Sequence, residues 1–223
     1  MSEGFMLRVR YAKRGRLAFL SHLETIRSVE RIIRRAQLPY AVTEGFNPHM
    51  KIAFGPALPV GAGSEGEYVD VRLKDFVAPP EALARLQAAA PANLFPLACH
   101  YIGTRAKAIT VEFPLSVWEA RFACDAPETL VSLQEALDAL VERGFIEVSR
   151  KRKKTKRVDF ADRLVEPPCC ELHEGLVLVR FTTRDTGQGA LRPDKFLDAA
   201  LETMQSRPQL LKLTRIELRQ EPS

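Results

Sequence analysis

Apolar positions along the chain recur at two spacings, and the spacing switches in the same order twice. In the first half, Phe5, Leu7, Val9 and Tyr11 alternate with Met6, Arg8 and Arg10, which predicts a strand over Phe5–Tyr11. Helical spacing follows over Ser21–Ala36, with Leu23, Ile26, Ile33 and Ala36 on the expected core side. Lys51–Phe54 and Glu67–Leu73 read as strands, Pro80–Ala90 as an Ala-rich helix, and Leu94–Ile102 as a closing strand. The second half predicts a strand at Trp118–Cys124 and a helix at Pro127–Glu142. Leu130, Leu133, Leu137 and Leu140 form that helix's stripe, and Gly144 stops it. Strands at Phe145–Arg150 and Leu176–Thr183, a helix at Pro193–Met204 and a strand at Leu210–Arg219 complete the order.

Each half therefore reads β-α-β-β-α-β, the ferredoxin-like order, in which two helices cover one face of an antiparallel sheet. The expected fold class is α+β, with two tandem ferredoxin-like units at residues 1–103 and 111–223 joined through Gly103–Thr110. The two uncovered sheet faces would meet each other or line a groove.

Punctuation adds chemistry to this frame. Ser21 and Glu24 form S-x-x-E at the head of the first helix, a capping box that gives Ser21 a structural role. Arg27, Arg31 and Arg34 recur along a second face of that helix, with Arg35 beside them. With Glu30 among them they form a solvated face, or a ridge for phosphate or carboxylate groups. His22 takes the first helical position, where the helix dipole disfavours its protonated form and leaves a neutral imidazole fit for acid–base work. Gly45-Phe46-Asn47-Pro48-His49 is a turn-rich loop that runs into Lys51. Phe46 could stack on a nucleobase, Asn47 and His49 could hydrogen-bond it, and Lys51 could supply charge. The Leu58–Ser64 loop has no phosphate-cradle spacing. Glu67 and Asp70 beyond it are candidate counter-charges for the arginine helix.

The net charge of +5 permits a polyanionic partner, and its placement is more telling. Arg150, Lys151, Arg152, Lys153, Lys154, Lys156 and Arg157 put seven cations in eight positions. Such density repels itself in a compact interior, so a solvated hairpin or loop is expected, contacting nucleic-acid phosphates rather than base edges. Cys99, Cys124, Cys169 and Cys170 contain no C-x-x-C pair, so reduced thiols without a metal are expected. No long apolar run and no apolar leader in MSEGFMLRVR point to a cytoplasmic protein away from membranes.

Several of these stretches resemble a known family. FLSHL (Phe19–Leu23), Leu38-Pro39, GFNPH (Gly45–His49), ALPVG (Ala57–Gly61) and EYVD (Glu67–Asp70) are similar to the radical SAM-linked family of bacteria. KKTKRVD (Lys153–Asp159) and LRPDKFL (Leu191–Leu197) extend the resemblance over nearly the whole chain. Met50 and Glu24 depart from the family's pattern, which has Pro and Asp there. The resemblance implies an accessory protein found beside, or fused to, a radical S-adenosylmethionine enzyme acting on RNA or the translation machinery. The chain has no C-x-x-x-C-x-x-C, so the cluster would sit on the partner and no cofactor is expected here. Three readings stay open: an RNA-binding accessory module, a metal-independent endoribonuclease using His22 and His49 as acid and base, and a protein–protein adaptor.

Overall fold

The computed structural model describes residues 4–103, 105–124, 126–150, 153–187 and 189–222. The chain is a mixed α+β protein that divides into two compact units, Met1–Phe113 and Pro114–Ser223. Among the described residues it holds five α-helices, and the strand pairings described within each unit are antiparallel. None of the described helices is long and apolar enough to cross a membrane.

The first unit runs β1 (Phe5–Lys13), a 3-10 turn (Gly15–Phe19), α1 (His22–Arg35), β2 (Ile52–Phe54), β3 (Ala62–Leu73), α2 (Pro79–Ala89), β4 (Leu94–Ile102) and α3 (Ile109–Glu112). Its strands lie in the order β4-β1-β3-β2. Leu7, Val9 and Tyr11 of β1 and Val69, Val71 and Leu73 of β3 face one way, into Val29, Ile32, Ile33 and Ala36 of α1 and Ala82 and Leu86 of α2. Leu23 is a correction: it is 65% exposed, and Thr25 and Val29 take the core positions instead. The opposite face of β1 carries Arg8, which is buried all the same. Its guanidinium forms two bonds to Asp70, at 2.7 and 2.8 Å, and one of 2.6 Å to Glu112 of α3. Tyr68 stacks on Phe113 beside it, with ring centroids 4.7 Å apart.

The second unit runs β5 (Leu115–Ala123), α4 (Thr129–Arg143), β6 (Phe145–Arg150), β7 (Lys153–Asp159), β8 (Leu164–His173), β9 (Leu176–Arg184), α5 (Pro193–Leu201) and β10 (Leu210–Arg219). The main strands order as β10-β5-β9-β8, and β6 pairs with β7 in a separate two-stranded ribbon. Trp118, Ala120 and Phe122 alternate inward with Val177, Val179 and Phe181, under Leu133, Leu137 and Leu140 of α4 and Phe196, Leu197 and Ala200 of α5. Gly144 ends α4 at φ +78°, a left-handed conformation that glycine adopts without the steric cost a Cβ brings.

The pattern predicted two strands between residues 145 and 184, and the structure has four. A two-stranded ribbon in solvent needs no apolar alternation, so the charged run Lys153–Asp159 can be a strand, β7, without looking like one. β8 contains Pro167 and Pro168, which sequence patterns read as strand breakers. It survives because it is the last strand of its sheet, where a missing N–H donor costs no ladder bond, and its register shifts around them.

Candidate functional site

The capping box at the head of α1 is formed. The backbone N–H and the hydroxyl of Ser21 donate to Glu24 Oε2 at 2.8 and 2.7 Å, and the Glu24 N–H returns to Ser21 Oγ at 3.4 Å. These bonds to Ser21 hold the Glu24 carboxyl below the usual carboxylate range. The cap occupies the amides of Ser21 and Glu24, so the chain's own carboxylate lies at this terminus.

Beneath it lies a small cleft lined by Tyr11, Lys13, His22, Thr25, Phe54, Gly55, Pro56, Ala57, Leu58 and Glu67. Lys13 is 1% exposed, and its ammonium donates to the carbonyls of Ala18 (3.2 Å) and Leu20 (2.9 Å). It thereby fixes the 3-10 turn that delivers Ser21 and His22. The His22 ring meets the Phe54 ring edge-on, with centroids 5.8 Å apart. Glu67, expected as a counter-charge for the arginine helix, faces this cleft instead, and Asp70 is taken by Arg8. Lys13 was missed by the sequence reading. The signal was there: continuing the alternation of β1 past Tyr11 puts a lysine on the core face.

The arginines of α1 stand as an exposed ladder. Arg27, Arg31, Arg34 and Arg35 all face solvent; Arg31 Nε donates to the Arg27 carbonyl at 3.3 Å, and Arg34 pairs loosely with Glu30 at 3.4 Å. The GFNPH loop is stapled at its base. The Thr43 N–H donates to the His49 carbonyl (2.8 Å) and the His49 N–H to Thr43 Oγ1 (2.9 Å), while Met50 is buried. Gly45 turns the chain at φ +119°. Phe46, Asn47, His49 and Lys51 are exposed, and Phe46 shows its whole ring to solvent. Among the described residues, no hydrogen bond, ion pair or ring contact joins His22 to His49; His22 lines the cleft under the cap, and His49 is not among its lining residues.

The basic run forms part of the β6–β7 ribbon. Lys151 and Arg152 lie outside the described residues, and Arg150, Lys153 and Lys154 are described as strand backbone. Lys156 pairs across from Val148 and Arg157 from Glu147. The Arg157 guanidinium lies 3.8 Å from the centre of the Phe145 ring and donates to Asp159 at 2.7 Å. At the ribbon's base a cleft of about 730 Å³, counting its open mouth, is lined by Ile146, Val148, Lys156, Arg157, Val158, Asp159, Arg163, Gly189, Ala190 and Arg192. Four of these residues are cationic and one is acidic; the register puts Lys156 on the face of Ile146, Val148 and Val158, and Arg157 and Asp159 on the opposite face of the ribbon. Arg163 donates to the carbonyls of Gly189 (3.1 Å) and Asp159 (3.3 Å). Arg192 is clamped by Asp194 at 3.0 and 2.6 Å. Arg163 is an isolated arginine in the sequence, and Arg192 lies within LRPDKFL, which was not read as a binding element. Cys169 and Cys170 lie on β8 away from any such cluster, and no group of three or more metal-ligating side chains occurs among the described residues.

These features define an α+β protein with a capped, histidine-bearing cleft in one unit and a cation-lined cleft in the other. The chain belongs to the family described as "uncharacterized protein conserved in bacteria (DUF2344)", whose pattern matches residues 6–193. No curated protein matches the chain. Among solved structures it is similar to a protein from Galdieria sulphuraria described as unknown, at 14% identity over 82% of this chain and 81% of that one, with a TM-score of 0.24. It is also similar to a protein assigned as a glycine cleavage system transcriptional repressor, at 9% identity over 96% and 99% of the two chains, with a TM-score of 0.23. Both TM-scores are below 0.5, and neither likeness carries an argument about fold or function.

Proposed function

We propose that this chain is a cytoplasmic RNA-binding accessory protein that works beside a radical SAM enzyme. The observation that carries the RNA reading is the cation-lined cleft at the base of the β6–β7 ribbon, continuous in sequence with the basic run. Phosphate contacts supply most of sequence-independent affinity for nucleic acid, and a charged ribbon standing apart from its sheet is suited to follow a backbone. The radical SAM partnership rests on the resemblance of FLSHL, GFNPH and ALPVG, and the cytoplasmic placement on four unpaired thiols. We read each unit as ferredoxin-like. In both, the strand order places the last, first, third and second main strands side by side, and β6–β7 is then an insertion after the first helix of the second unit.

The test is a salt titration of RNA binding, comparing wild type with a chain neutralised to Gln at Lys151, Arg152, Lys153, Lys154 and Lys156. Each lost phosphate contact flattens the log–log salt slope by roughly 0.7 for a single strand, so a change of up to roughly 3.5 is expected for the five. An unchanged slope removes the ribbon from the interface. No binding of wild type at low salt overturns the RNA reading.

A second reading, a protein–protein adaptor, is favoured by one observation. Phe19 at the end of the 3-10 turn, Leu23 in the first turn of α1, and Val60 are 70%, 65% and 62% exposed, and Phe19 lies against Gly61 next to Val60. Retention of a partner enzyme from nuclease-treated extract, lost on Phe19→Ser and Leu23→Ser, would support it.

A further inference from the structure

The cleft of the second unit differs from a plain charged surface in its floor. Ile146 and Val158 are cross-strand partners, and Val148 lies two residues along the same face of β6 as Ile146. Ile146 is 1% exposed, while Val148 and Val158 are half-buried, so an aliphatic shelf opens toward the cation rim. The opposite wall is small: Gly189 and Ala190, with nothing within 4 Å of where a side chain on Gly189 would begin.

The cations on the rim are not equivalent. Arg192 is clamped by Asp194 and Arg157 is shared between Asp159 and the Phe145 ring. Arg163 is different, since its described hydrogen bonds go to carbonyl oxygens. These bonds fix the orientation of the guanidinium and leave its charge uncancelled. Lys156 makes no ion pair among the described residues. An oriented arginine and an exposed lysine beside an aliphatic shelf match a phosphate attached to a flat, weakly polar ring. A duplex offers the phosphates and keeps its bases stacked inside, whereas an unpaired nucleotide can splay its base onto a surface.

Resting on the RNA reading above, we infer that this cleft receives one unpaired nucleotide of the bound RNA. Its base lies against Ile146, Val148 and Val158, and its phosphate lies on Arg163 and Lys156. Arg163 sets where the phosphate sits, because a planar guanidinium presents paired donors to it.

The experiment uses the full chain and fluorescence anisotropy with a labelled single-stranded oligoribonucleotide and the duplex of the same sequence. Two variants separate shape from charge. Ala190→Trp fills the cleft at an exposed wall position and leaves every cation in place; Arg163→Gln removes the oriented charge and leaves the cleft open. Wild type should prefer the single strand by about tenfold or more. Ala190→Trp should erase that preference with its salt slope intact, and Arg163→Gln should weaken single-strand binding with a slope flatter by roughly 0.7. Equal wild-type affinity for both RNAs, or single-strand binding unmoved by both variants, overturns the nucleotide assignment and leaves the RNA reading standing. Absence of any RNA binding by wild type ends both. Circular dichroism melts confirm that each variant is folded.

Discussion

Replacing Arg8 by Met should be among the most damaging single changes in the first unit. Arg8 is 1% exposed and Asp70 is 7% exposed, and the two share a pair of bonds at 2.7 and 2.8 Å. A third bond of 2.6 Å reaches Glu112, and a fourth of 3.2 Å reaches the Lys107 carbonyl, so one guanidinium joins β1, β3 and the segment that carries α3. Methionine keeps the length and apolar stem of the side chain, so the cavity term is small. The loss is electrostatic: Asp70 is left buried without its cation, a situation that costs about 3–5 kcal/mol. Against a whole-domain stability of about 5–15 kcal/mol, that is a large share. The assay is urea denaturation followed by far-UV circular dichroism. Trp118, the single tryptophan, belongs to the second unit, and its fluorescence serves as an internal control. Adding Asp70→Leu to Arg8→Met removes the stranded charge and should recover most of the loss. A penalty below about 1 kcal/mol, or a double variant no better than the single one, would refute the reasoning, because the carboxylate would then have found another partner or water.

Three further outcomes follow from the site geometry. Glu24→Ala should lower the melting temperature at pH 7. Because the Glu24 carboxyl is held below its ordinary value of about 4.3, the gap from wild type should persist above that pH and close as pH falls through the lowered value; a gap constant down to pH 2 would mean the carboxylate does not cap the helix. His22→Ala and His49→Ala should each leave an RNA substrate uncleaved, as wild type does, with His49→Ala weakening binding a few-fold; wild-type cleavage abolished by either change, read on a denaturing gel, would favour the endoribonuclease. Burial, with the neighbouring Cys169 and Asp138 adding to it, pushes the Cys170 thiol up to about 12, so iodoacetamide at pH 8 should label exposed Cys169 well before Cys170, and equal labelling by peptide mass mapping would contradict that burial.

How far these features could be read from the sequence depends on whether they are local. The head of α1 was legible because Ser21 and Glu24 satisfy each other within one turn, and the stop at Gly144 because one glycine carries it. The core side of α1 was read less well, since Leu23 looks like a core residue and Thr25 does not; only the position of the sheet beneath decides that Thr25 is covered. Arg8 and Asp70 sit at the polar positions of an alternating strand and read as solvent-facing, yet Glu112 and Phe113, about a hundred residues further on, close over them. The two clefts show the same limit. The basic run announced positive charge at once, but charge count is not phosphate affinity. Arg157 and Arg192 are largely committed to Asp159, Phe145 and Asp194, while Arg163, isolated in sequence, is oriented by two carbonyls and keeps its charge available. Whether a cation is cancelled or offered is decided by what folding places beside it. For that reason the residue assigned here to the nucleotide phosphate is one that no run, motif or spacing singled out.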